Sequence, residues 1–166
     1  MKRKFVNENE NERVYLKKKL SIIYPINKDC RLYRSRYPSL SDSTGKLSMN
    51  LKFYANELKS APNPGGTIEE ILTKWSGKYE LLERHHGYIQ WLFPLRVQGL
   101  NSRIHCLQTH EAEKIIGNRI MKMRVLNAYR LMLNFYGLRL SNQDTGKLTK
   151  EPNFENRFAN MLRYDK

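Results

Sequence analysis

The chain has 166 residues, 40% of them apolar, which is about one domain's worth and enough to build a core. Its 30 Lys and Arg against 16 Asp and Glu give a formal charge of +14, a pI of about 9.9 and a mean hydropathy of −0.71. With 10 Tyr, 6 Phe and 2 Trp the chain is too aromatic for wholesale disorder, and no apolar run approaches the roughly 18 residues of a membrane span.

Two cysteines, Cys30 and Cys106, do not make a disulfide scaffold, so a reducing compartment is expected. Leu20–Tyr24 is too short for the apolar region of a signal peptide. The positive charge is concentrated at the flanks: +7 over residues 1–50, +2 over 51–110 and +5 over 111–166. Such a balance favours acidic partners, nucleic acid among them, and equally describes a solvated surface.

Residues 1–27 read as a flexible basic tail. Asn7–Glu12 alternates Asn and Glu with nothing to bury, between Lys2-Arg3-Lys4 and Lys17-Lys18-Lys19. The two clusters resemble a bipartite signal for the nuclear-import machinery, and a merely basic tail as well. Residues 28–48 read as irregular.

Helical spacing begins with Leu51, Tyr54, Ala55 and Leu58, and Pro62, Pro64, Gly65 and Gly66 are expected to end that helix. Thr67 and Glu70 form a capping-box pattern before Ile68, Ile71, Leu72 and Trp75, with Gly77 as the stop. A short helix follows over 79–86. The run 88–93, closed by Pro94, is expected to be helical or 3₁₀. Thr109 is the expected N-cap of a helix running to Tyr136, apolar nearly all round and therefore buried and central, with Gly117-Asn118 as an interruption. Phe154, Phe158, Met161 and Leu162 make a final stripe. These elements predict an all-α, single globular multi-helix domain over 28–164. Its core is expected to hold Leu51, Ile68, Ile71, Leu72, Trp75, Leu82, Trp91, Leu92, Phe93, Val125, Met132, Phe135 and Phe158.

Enzymatic chemistry finds little support. Thr44–Ser48 and Thr145–Thr149 share the pattern Thr-Gly-Lys-Leu-Ser/Thr. A phosphate-binding loop needs Ser or Thr directly after Gly-Lys and an upstream glycine, so two polar turns with glycine at positive φ are expected instead. His85, His86, His105, Cys106 and His110 lack the paired short spacings of a zinc site, and nothing flanks Cys106 to make it a nucleophile. No catalytic residue, metal site or cofactor is expected.

The block Tyr88-Ile89-Gln90-Trp91-Leu92-Phe93-Pro94-Leu95-Arg96 is long and rare. With Asn50–Tyr54, Ile68–Trp75, Cys30–Leu40, Gly99–Asn101, Leu131–Leu140, Thr145-Gly146 and Asn156–Phe158, it resembles the conserved N-terminal domain of the opioid growth factor receptor family. The likeness covers 28–164. It departs at Val97, where the family usually has Glu. The family's domain also continues beyond the last residue here, so a shortened piece or a short divergent member is expected. The resemblance implies a mainly helical domain, no enzymatic activity, residence in the nucleus and cytoplasm, and binding of the pentapeptide Met-enkephalin to restrain proliferation.

A site for that peptide needs an acid for its amine, an apolar pocket for its rings and a cation for its carboxylate. The stretch 80–96 offers all three, so Glu80, Glu83, Tyr88, Trp91 and Arg96 are the expected peptide-binding residues. A basic nuclear domain that binds nucleic acid or another protein is the competing reading.

Overall fold

A computed structural model describes residues 30–35, 37, 38, 40–42, 48–98 and 105–163. The tail and most of the Thr44–Ser48 pattern lie outside these residues. The chain divides into two compact units, 1–41 and 42–166. In the first, residues 30–34 are helical where an irregular segment was expected, and the Ser35 and Tyr37 amides donate back to the Arg31 and Leu32 carbonyls, both at 2.9 Å.

The second unit is predominantly helical. Its order is α1 (Met49–Tyr54), α2 (Ile68–Lys74), α3 (Tyr79–Arg84), α4 (Ile89–Leu92), α5 (Thr109–Gly117), α6 (Arg119–Phe135), β1 (Leu138–Asn142), β2 (Lys147–Lys150) and α7 (Phe154–Arg163). Four short helices supply one side of the core, and the second half of α6 supplies the other. Phe53, Tyr54, Ile68, Ile71, Trp75, Leu82, Tyr88, Trp91 and Leu92 pack with Ala128, Leu131, Met132 and Phe135. Leu51, Leu72, Phe93 and Val125 are half-buried against that cluster.

Local chemistry explains the helix ends. The Thr67 hydroxyl accepts from the Glu70 amide (3.4 Å), and the Glu70 carboxylate accepts from the Thr67 amide (3.1 Å). That amide, with help from Lys74, holds the Glu70 carboxyl at about 2. α4 is the single helical turn foreseen for 88–93. The break between α5 and α6 falls at Asn118, whose side chain accepts from the Ile120 and Met121 amides (2.9 and 3.1 Å).

Five expectations need correction. The unit is not purely α: β1 and β2 pair antiparallel, Leu138 opposite Lys150, with a bulge between Leu140 and Asn142. The Thr145–Thr149 pattern is the turn and return strand of this hairpin, with Gly146 at φ +70° as expected of a polar turn. α1 stops at Tyr54, before the prolines, because Asn56 takes φ +70°. Gln108, not Thr109, is the N-cap of α5, in a reciprocal capping box with Glu111.

α6 is not buried all round: Ile120, Met123 and Tyr129 are exposed, and only its last turns sink into the core. Phe158 is exposed, stacked on Phe154 at 5.5 Å. Arg157 turns inward in its place. Its guanidinium lies 4.6 Å from both the Tyr79 and Phe135 rings and donates to the Phe135 carbonyl at 2.7 Å. A weakly hydrated guanidinium between two ring faces fills the site that a simple apolar stripe assigns to Phe158.

Candidate functional site

The sequence-selected residues fall into three sets of contacts. Glu80 and Glu83 lie one turn apart on α3 and share a polar cleft of about 340 Å³ with Arg84, Asn156, Arg157 and Asn160. Glu80 is exposed, 3.7 Å from Arg84. Glu83 is already engaged, accepting from Arg157 and Asn160 at 3.0 Å each. This pairing ties α3 to α7 through one carboxylate oxygen, Oε2.

Tyr88 and Trp91 form the second set, and both belong to the core. Tyr88 is 0% exposed and stands edge-on to Trp75 at 5.5 Å. Its hydroxyl donates to the Leu82 carbonyl at 3.4 Å, and burial pushes the phenol upward. Trp91 is 3% exposed, and its indole N–H donates to the Ala61 carbonyl at 3.0 Å. Two buried rings hold α4 in place and present no face to a ligand.

Arg96 forms the third set. It pairs with Asp42 at 2.9 Å and donates to the Thr109 hydroxyl. The Thr109 amide donates to both Asp42 oxygens (2.9 and 3.1 Å), and this bond, reinforced by Arg96, lowers the Asp42 carboxyl below its ordinary value. The trio clamps the start of α5 and neutralises the Arg96 charge locally.

The structure adds features that the sequence reading passed over. Glu111 is 1% exposed, and its carboxylate accepts from the amides of Asn50 (2.9 Å), Leu51 (3.1 Å) and Gln108 (2.9 Å) and from the Asn50 side chain (3.0 Å). One acid therefore caps both α1 and α5. Its place near the start of a helix was visible in the sequence; the arrival of α1 was not. His110 Nε2 lies 3.1 Å from the Ser48 hydroxyl, but no third group among the described residues orients the imidazole, which a nucleophile–base pair requires. No three His, Cys, Asp or Glu side chains among the described residues gather as metal ligands, and no described helix is long and apolar enough to cross a membrane.

Between α5 and α6, reaching Gln143 of the hairpin turn, runs a groove of about 630 Å³ with a mostly carbon lining, Ile115, Ile116, Met123, Val125, Leu126 and Tyr129, together with the cations Arg119 and Lys122. Its sequence signal was the same excess of apolar residues on α6 that suggested complete burial.

Comparison with known proteins agrees with the fold's most specific segment. The profile of a family described as "Opioid growth factor receptor (OGFr) conserved region" matches residues 43–166, nearly all of the second unit. The chain belongs to the opioid growth factor receptor family. It is 43% identical over 134 residues to the mouse (Mus musculus) opioid growth factor receptor and 44% identical over 134 residues to the human (Homo sapiens) one, covering 80% of this chain in each case. Mouse opioid growth factor receptor-like protein 1 is 42% identical over 135 residues, 81% of this chain. The matched segment spans 21%, 19% and 29% of these relatives' own lengths. No solved structure matches the chain. These family members are named as receptors, not as enzymes.

Proposed function

We propose that the chain is a receptor-type binding module for a short opioid peptide, Met-enkephalin, and that its occupancy takes part in restraining cell growth. One observation supports this above the others: the profile of the opioid growth factor receptor conserved region matches residues 43–166, nearly all of the second unit. A binding role without catalysis follows from those names. Residence in the nucleus and cytoplasm, with the basic clusters at 2–4 and 17–19 engaging the import machinery, belongs to the same reading.

Two clefts compete for the peptide. The polar one offers Glu80 and Glu83 to its ammonium; the apolar one between α5 and α6 offers carbon surface and cations. A flexible pentapeptide loses conformational freedom on binding, so micromolar affinity is expected.

The charge of +14 makes nucleic acid the competing partner. Equilibrium dialysis of the 166-residue chain against labelled Met-enkephalin, and against a labelled DNA duplex at two salt concentrations, separates the two. The proposal expects saturable peptide binding with little salt dependence. Duplex binding whose log affinity falls about 0.9 per contacted phosphate per log unit of salt, with no peptide binding at millimolar concentration, would replace it. Repeating the duplex titration without residues 1–27 shows whether the tail alone carries that affinity.

A further inference from the structure

We propose that the groove between α5 and α6 holds the carboxylate end of the peptide, with the terminal carboxylate on Arg119 and Lys122 and the adjoining apolar side chains on Ile116, Met123 and Tyr129. This placement rests on the peptide-receptor reading above and assigns it a location.

The first observation is the apolar surface. Ile116, Met123 and Tyr129 are 68%, 44% and 40% exposed, yet they line one groove on consecutive helices. Isolated exposed apolar residues are ordinary in a folded protein, but a contiguous patch with cations beside it is characteristic of a binding surface. A volume of about 630 Å³ accommodates two large side chains and a carboxylate. Met123 and Tyr129 also suit a ligand carrying a ring and a thioether, since sulfur–aromatic contacts are favourable and an unbranched methionine adapts its shape.

The second observation is charge. Arg96, Arg124 and Arg157 pair with Asp42, Glu69 and Glu83 at 2.6–3.0 Å. Arg119 and Lys122 have no ion-pair partner among the described residues, and no carboxylate lines the groove. Both sit in the first turn of the 17-residue α6, which carries no acid there. Cations at the positive end of a helix are unfavourable, and an anion bound between them relieves that cost. Asn118 already satisfies the first amides of α6, so the anion meets the side chains instead.

The polar cleft is a separate location. α3 is tied to the far end of α6 by the Tyr79 hydroxyl, which donates to Asn134 at 2.8 Å. Arg119 lies about 22 Å of helix away from that point. A five-residue peptide extends to about 17 Å at most. The peptide's ammonium therefore does not reach Glu80 and Glu83 when its carboxylate occupies the groove.

Isothermal titration of the full chain with Met-enkephalin and with its C-terminal amide tests the placement. The free acid is expected to bind roughly tenfold more tightly than the amide, the difference of one charge-assisted contact. In Arg119→Gln/Lys122→Gln that preference should vanish while amide binding is retained. Met123→Asp should weaken both ligands at least tenfold. All three residues are exposed, and unchanged thermal melts would confirm that the variants fold. Equal binding of acid and amide to the wild type would overturn the placement. So would variants that bind as the wild type does, and in either case the receptor reading stands. Absence of any saturable heat from the wild type at millimolar peptide removes both. A concentration-dependent dimer dissolved by Met123→Asp, with peptide heats unaffected, would assign the groove to a second copy of the chain.

Discussion

Glu111 gathers four hydrogen bonds from the described residues. Three amides and one side-chain amide converge on a carboxylate that is 1% exposed, joining α1 to the start of α5 across a sequence separation of 60 residues. Removing it strands buried donors, each worth about 1–3 kcal/mol when left unsatisfied and part of which water recovers. Glu111→Ala should therefore cost about 3–5 kcal/mol in urea unfolding, with Glu111→Gln intermediate. An unchanged unfolding midpoint would show that the carboxylate does not staple the two helices.

His85 makes a second test at this scale. Burial, with the neighbouring His86 adding to it, pushes its imidazole below the usual histidine range, and Nε2 has no hydrogen-bond partner among the described residues. It packs edge-on to Trp75 at 5.7 Å. A group whose folded pKa is depressed binds protons more readily in the unfolded chain, so stability falls as pH drops below about 6.5. The melting temperature of the wild type should decline between pH 7.5 and 5, and His85→Phe should flatten that decline. A wild-type profile without slope in this window would contradict the buried neutral imidazole.

Elements were legible wherever local chemistry determined them. The Thr67–Glu70 capping box, the helical turn at 88–93 and the interruption at Asn118 follow from side chains that act on their own backbone. The hairpin escaped because Leu138, Leu140 and Leu148 give too brief an alternation, and its strands are held by tertiary position. Gly137 at φ +75° turns the chain out of α6, and its carbonyl accepts from the Glu151 amide at 2.8 Å. The candidate site was less legible. Trp91 read as core and as pocket and Tyr88 as pocket, and the burial of both depends on α2 and α6 arriving from elsewhere in the chain. Arg157 was overlooked because a charged side chain on an apolar face looks like an error until the Tyr79 and Phe135 rings flank it.

Two glycines test the hairpin. A Cβ on Gly137 would stand 2.5 Å from the Phe154 Cα, whereas one on Gly146, at nearly the same φ, meets nothing within 4 Å. Gly146→Ala should cost about 1 kcal/mol for the left-handed backbone alone. Gly137→Ala should cost at least about 2 kcal/mol more, because α7 must move away from α6. Equal losses in thermal denaturation would mean that α7 does not pack against this exit.

Across the second unit, charge and carbon are arranged in a way that suits a ligand with a carboxylate end and apolar side chains. The described arginines nearest the core are spent on internal pairs, while the cations beside the α5–α6 groove are not. The family profile covers nearly all of the second unit, and the proposed peptide recognition is tested on this chain, which spans about a fifth of the mouse and human relatives. The most direct test is a titration of the isotope-labelled chain with Met-enkephalin, followed by amide NMR. Saturable shifts at micromolar to millimolar peptide, strongest for residues 115–129 and weak for Tyr88 and Trp91, are predicted. An unchanged spectrum at millimolar peptide would contradict the claim that this unit is a peptide receptor.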